Sequence, residues 1–495
     1  MSNLSDLIPA GSSGKILTAT DSGSGIASKK PVILNSDGTV TEVTGSAFSK
    51  TLTTTEWADG YIGTYVMSAC YDTTNNVVIV AYQRLASNAL TIVAGSISSG
   101  TITWGTPELL GYGATDQSYG ITFHPSQGAF CVCYQEYTLL KAMCGTVSGT
   151  TITLDHGNAL TVASATHTRV RSVFDATNDK TLLYCRDGSS YGQCYAISVS
   201  TTTPTSSSVY NWTTSTNTYD SADAVHDPDE ERIVIAYRGS GTIGNVVLVD
   251  CSAATPTGTS PIAITPYASS GYGEGTISYD TGQNKAVIGV YDSANSNYLS
   301  YVVATIDASG STATFGSKVT QTTTYTRWPT YSKMIYDPDN AINVISFQDG
   351  GTYGSYVQTA TVSGTTVSIS ALGELRAADS TYGNAWVLNT MVYDPDEDDF
   401  IFVYIDKGDS DECFGLTFSP ASTNSANYVG IADGAISASA SGEIIVQGGT
   451  VTGLTSLTIG SKYYIQDDGT ITTVSSDVNA GLALSTTSLL LNGDS

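Results

Sequence analysis

The chain has 495 residues, 45 acidic against 19 basic, and a formal net charge of −26. That length exceeds one simple core, and the acidic balance excludes binding to phosphate backbones or anionic membranes, which takes clustered Lys and Arg. Only 13% of residues are charged, while Gly (49) and Tyr (31) are abundant. Such a composition suits pleated, half-buried surfaces joined by tight turns, and no stretch sustains a 3.6-residue apolar period, so the class is all-β.

The N-terminal segment MSNLSDLIPAG lacks the basic and apolar regions of a signal peptide, and no apolar run approaches membrane-spanning length. The expectation is synthesis in a cytoplasm, no general secretory export and no membrane insertion. Further on, Val32-Ile33-Leu34 and Val40-Thr41-Glu42-Val43 flank Asp37-Gly38, a hairpin signature. Its near twin comes late, Tyr463-Tyr464-Ile465 and Ile471-Thr472 around Asp468-Gly469. The shared DGT(V/I)T pattern predicts that residues 1–45 and 423–495 form one small β-barrel or sandwich, split in sequence and joined in space.

Between them, residues 46–422, one motif recurs. Tyr393-Asp394-Pro395-Asp396-Glu397 has counterparts starting at 71, 123, 174, 226, 279 and 336, spaced 51 to 57 residues apart. In the sixth copy Lys333–Tyr336 reads as a strand, Asp337–Asn340 as a turn, and Val344–Phe347, Tyr356–Val362 and Thr365–Ser370 as three more strands. Four antiparallel strands in a repeat of this length predict a β-propeller blade, and seven copies predict seven blades. An aromatic follows in each second strand (Tyr82, Tyr134, Tyr184, Tyr237, Tyr291, Phe347, Tyr404), expected at one blade position and in the core. The seventh repeat runs out after Cys413–Phe418, and residues near 46–52 match an outer strand, so they are expected to complete blade seven and close the ring.

The eight cysteines form no CxxC pair; Cys131 and Cys133 share a strand face and are expected as free thiols with the rest. Of the histidines, His124, His156, His167 and His226, none pairs at metal-ligand spacing, and GxSxG, HExxH and phosphate-binding glycine loops are absent. No cofactor, metal or catalytic residue is therefore assigned. The acidic turns Asp227–Glu231 and Asp394–Asp399 offer oxygens for calcium, though Asp and Pro serve such turns as backbone caps anyway.

The segment GIADGAI…GEIIV…GLT…GSKYYIQDDGT…AGLALS…LLL, with VILNSDGTVTEV before it, resembles a module of tail-fibre and other virion proteins of tailed bacteriophages, marine ones particularly. The resemblance implies a virion protein with the propeller inserted into that module, and brings no catalytic residues. The connections leading into the blades carry Trp57, Tyr61, Tyr112, Tyr119, Tyr272, Tyr325, Trp328, Tyr382 and Trp386, and Arg84, Arg186 and Arg238 follow second-strand aromatics. Flat aromatics with polar tips suit sugar rings or protein partners, so these twelve are the candidate binding residues. The expected function is a non-enzymatic structural or adhesion protein of a phage particle. It would bind host-surface glycan or other virion proteins, assemble with its own copies, and serve as tail fibre, receptor binder, capsid decoration or head fibre. The alternative is a propeller glycosidase using carboxylates such as Asp187, Asp292, Asp349 and Asp406.

Overall fold

A computed structural model describes residues 16–23, 25–35, 38–43, 49–52, 67–84, 89–112, 114–213, 222–239, 243–267, 272–294, 298–325, 332–348, 354–369, 373–376, 389–406, 412–419, 428–465, 469–473 and 478–491. Among them the fold is all-β, with only the one-turn helices His156–Asn158 and Thr265–Tyr267. The chain divides into two compact units, residues 49–420 and residues 1–48 with 421–495.

The larger unit is a seven-bladed β-propeller. Each sheet runs outward from an inner strand: Ser68–Asp72, Ala114–His124, His167–Asp175, Asp223–Asp227, Tyr272–Asp280, Lys333–Asp337 and Asn389–Asp394. Neighbouring inner strands pack side by side, and Asn389–Asp394 beside Ser68–Asp72 closes the ring. Closure is completed by Ser49–Leu52, which pairs with Glu412–Ser419 as the outer strand of blade seven. That covers the last open edge without adding an eighth sheet.

The second strands are buried on both faces, which is why they read as continuous apolar runs. In Val77–Arg84, Val77, Ile79 and Ala81 pack toward blade two, while Val78, Val80 and Tyr82 pack toward blade seven. The second-strand aromatic, expected at one blade position, occupies three. Counted from the residue that ends each inner strand, Tyr82, Tyr134, Tyr237, Phe347 and Tyr404 hold one position, Tyr184 falls one residue short and Tyr291 one beyond. A one-residue offset moves a side chain to the other sheet face, so Tyr184 packs toward blade four, not blade two.

The four-strand expectation also needs amendment. In blades one to six the outer strand is split, both pieces pairing with the long third strand: in blade six, Thr366–Ile369 and Gly373–Arg376 line up along Ser355–Ser363. Gly105 and Gly316 mark two of the breaks. A Cβ at either would lie about 2 Å from a carbonyl oxygen of the next blade's outer turn, Thr150 and Thr365 respectively, a separation real atoms do not reach. The break lets that turn in.

The recurrent acidic turn is a cap. The aspartate ending the inner strand is buried in six blades and accepts backbone N–H groups of its own turn, as Asp337 does from Asp339 (3.0 Å) and Asn340 (3.0 Å). Four residues beyond it, all seven turns place a residue in the left-handed region: Asn76, Gly128, Asp179, Glu231, Asn284, Ala341 and Asp398, with φ between 51 and 57°. The preceding aromatic reaches back to the previous blade. Tyr279 OH donates to Asp229 Oδ2 (2.8 Å), Tyr393 OH to Asp339 Oδ2 (2.6 Å), and Tyr71 OH to Asp396 Oδ2 (3.2 Å), which joins blade one to blade seven.

The smaller unit is a sandwich of two five-stranded antiparallel sheets. Ile33, Ile431 and Ile445 of one meet Val451, Ile465, Ala480 and Leu489 of the other in a shared core. Both predicted hairpins form, Val32 opposite Glu42 and Tyr464 opposite Thr472, one in each sheet. The sheets share one plan. In chain order the first has strands Ile16–Thr20, Pro31–Leu34, Val40–Glu42, Tyr428–Ala432 and Ser441–Val446; the second has Thr450–Thr452, Lys462–Ile465, Ile471–Thr472, Val478–Ser485 and Ser488–Leu491. In both, the spatial order is first, fifth, fourth, second, third. The propeller lies between the third and fourth strands of the first copy, where the second copy has only residues 473–477.

Candidate functional site

Antiparallel pairing puts the second-to-third-strand turns at the same end of each blade as the beginnings of the inner strands, for example Glu136 opposite Ala114. The capped acidic turns occupy the other end. Among the expected binding residues, Tyr119 and Tyr272 are corrected: both are buried, in the packing against blades one and four respectively. Tyr272 lies edge-on to Tyr267, itself buried, with ring centroids 5.6 Å apart. They bury apolar area between tilted sheets and present no face to a ligand. Tyr112 ends the strand Glu108–Tyr112, opposite Ala89. The side chains of Tyr112, Trp57, Tyr61, Tyr325, Trp328, Tyr382 and Trp386 lie outside the described residues.

The three arginines are half-buried at the ends of their second strands. Arg186 Nε donates to Thr168 Oγ1 (3.1 Å), tying the strand end to the start of the inner strand. Gln135 does the matching work one blade earlier: its Nε2 donates to the carbonyls of Tyr137 (2.9 Å) and Ala165 (3.4 Å), and its Oε1 accepts the His167 N–H (3.0 Å). These side chains fix the loops on the blade ends.

One functional candidate escaped the sequence reading. Tyr137, in the two-residue turn between Glu136 and Leu139, is 66% exposed, and among the described residues it is the one large aromatic so exposed. Its φ of 50° belongs to the left-handed region, which costs a non-glycine residue roughly 1–2 kcal/mol. Gly or Asn normally fills such turns, so a tyrosine stands exposed here at a position where a smaller residue would relieve the strain. The signal available in sequence was a tyrosine where a turn glycine belongs.

The carboxylates considered for hydrolysis are engaged structurally. Asp187 accepts the N–H groups of Ser189 (2.9 Å) and Tyr191 (2.8 Å), and buried Asp292 pairs with Lys318 Nζ (2.5 Å). Asp349 and the side chain of Asp406 lie outside the described residues. The histidines are apart: His124 and His167 are buried, His226 bonds Thr177 (3.1 Å), and His156 is exposed in its one-turn helix. Burial pushes the His124 pKa down despite the neighbouring Asp179 carboxylate.

On the opposite end, oxygens of Asp337, Asp339 and Asp398 lie within 4.8 Å of one another. Burial raises the Asp337 pKa, and the Asp398 charge adds to the rise. Asn340 Nδ2 donates to Asp337 Oδ2 (2.9 Å), and Tyr393 OH to Asp339 and Asp398 (2.6 and 2.9 Å). Donors of the chain itself thus meet these oxygens. All eight cysteines are free thiols, seven of them buried.

No protein-family model and no curated protein matches the chain. Solved structures do. The β-propeller domain of Myceliophteria thermophila Swd1 matches at 7% identity and a TM-score of 0.44, over 75% of this chain and 99% of its own. The polysaccharide lyase Uly1 matches at 9% and 0.42, over 81% and 100%. The lectin of Aleuria aurantia, solved with Fucα1-6GlcNAc, matches at 12% and 0.41, over 66% and 100%. Likenesses this distant say nothing of ligand or chemistry; blade number and closure are read from the chain's own strand pairing.

Proposed function

We propose that the chain is a non-enzymatic adhesion protein of a tailed-phage particle, with a propeller that holds surface glycan on its loop end. On this reading the terminal sandwich attaches it to other virion proteins and to its own copies. The glycan reading is carried by Tyr137, a strained, exposed aromatic on a turn whose carbonyl accepts a hydrogen bond from the Gln135 side chain. A flat apolar face with a polar tip, fixed before the ligand arrives, is what stacking on a sugar ring requires. The phage reading is supported by the resemblance of the sandwich strands to the virion module.

The test is a printed oligosaccharide panel probed with the whole chain and with Tyr137→Ala. Retention of one glycan class, weakened roughly tenfold or more in the variant, is the expected result. Release of reducing ends from the retained glycan would sink the non-enzymatic part. Failure to retain any glycan would sink the adhesion reading. Antibody labelling of intact particles tests location, and a purified particle without the protein would end the virion assignment.

A further inference from the structure

This inference rests on the glycan reading and names the class of sugar. The inner strand of blade three, His167–Asp175, does not run straight. Its pairing with Lys180–Asp187 slips between Thr168 and Arg171, and Arg169 takes a φ of 56°. A bulge of this kind re-aims the side chains around it, and the left-handed conformation again costs an L residue roughly 1–2 kcal/mol.

Thr168 pairs with Arg186 and Arg171 with Tyr184, so these four side chains share one sheet face. With Arg169 on the bulge between them, three of the chain's eight arginines stand at one corner of a chain with net charge −26. Burial lowers the Arg171 pKa and the like charge of Arg169 adds to the fall, while Tyr184, Asp223 and Tyr119 act the other way. Asp223, at the matching position of the next inner strand, interacts with Arg171 and also faces several donors. It accepts from Thr276 Oγ1 (2.8 Å), the Ile277 N–H (3.2 Å) and Lys333 Nζ (3.2 Å). Tyr137 adjoins this corner, because the Gln135 side chain bridges its turn to Ala165 and His167 at the head of the same inner strand.

We propose that the corner of blade three binds the carboxylate of an acidic sugar, a uronic acid, with Arg169 and Arg171 on the carboxylate and Tyr137 beneath the ring. Guanidinium and carboxylate match as planar, two-point partners. Strained arginine and strained tyrosine on adjoining blades then serve one ligand, which accounts for both at once.

The probes are an oligouronate from alginate, a neutral dextran oligosaccharide of the same length, and sodium sulfate, titrated calorimetrically into the whole chain. The oligouronate should bind, the neutral sugar at least tenfold more weakly, and added salt should weaken the uronate. Arg171→Gln and Arg169→Gly should each lose roughly 10- to 100-fold. Glycine relieves the strained φ, so Arg169→Gly should melt no lower than the parent, which separates lost recognition from lost folding. Equal binding of the neutral sugar, or undiminished uronate binding by Arg169→Gly, overturns the proposal and leaves the glycan reading standing. Sulfate competing as well per charge as the uronate overturns it in favour of a free-anion site. Binding of none of the probes while other glycans are retained overturns it too.

Discussion

The propeller and the sandwich are both built by repetition, and they close in opposite ways. The propeller repeats one hairpin-based unit seven times and needs its own ends, Ser49–Leu52 and Glu412–Ser419, to pair before the ring is complete. The sandwich repeats a five-strand plan twice and tolerates a whole domain inside its first copy. Geometry explains the tolerance. Val40–Glu42 and Tyr428–Ala432 flank the same strand, Pro31–Leu34, so the chain leaves and returns on the two sides of one strand. An insert whose own ends are paired neighbours can bridge that gap without disturbing either core.

The largest expected effect comes from separating the two. Deleting residues 44–427 and joining the ends with a copy of residues 473–477 should leave a sandwich that folds alone, with a β-type circular dichroism spectrum and a cooperative melt. A non-cooperative melt would show that the first copy depends on the insert. Single truncations sharpen the same contrast. Ile79→Ala in the propeller and Ile431→Ala in the sandwich, both fully buried, should each cost about 2–5 kcal/mol. Each should shift only its own calorimetric transition, and a joint shift would mean that the units unfold as one.

A smaller effect follows from His124, the one residue that breaks the run of inner-strand aspartates. Its folded pKa lies below the unfolded value of 6.5, so its contribution is whole above pH 6.5 and is lost as pH falls through that value. Propeller stability should decline between pH 7 and 5 by no more than about 1.4 kcal/mol per pH unit from this group. In His124→Asn, which puts a non-titrating polar side chain at this position, the decline should be shallower, as denaturant melts at several pH values would show. An unchanged slope would remove His124 from the account. The smallest effect is a gain. Ala341 holds the left-handed turn position that glycine, asparagine or aspartate fills in five other blades, so Ala341→Gly should stabilise the propeller by roughly 0.5–1 kcal/mol. A lower melting temperature would show that turn strain is not limiting there.

Much of this architecture was legible in the residues themselves. The recurrent Asp turn gave the blade number, because a buried cap and a left-handed residue restrict which sequences close such a turn. The missing outer strand of the seventh repeat located the closure near residues 46–52. The DGT(V/I)T twins announced one split β unit, though not that its two sheets share a strand order. The candidate site was far less legible. Tyr119 and Tyr272 look like Tyr137 on paper, yet two are buried and one is exposed. Tyr184 and Tyr291 appear aligned with their counterparts and are each one residue out of step. Turn chemistry is local, carried by a few consecutive residues, so sequence alone determined the repeat, the blade count and the ring closure. Exposure and facing depend on register and on what the neighbouring sheet places opposite. Only the tertiary structure decided which aromatics became core, which one became a surface, and that a bulge would gather arginines in blade three.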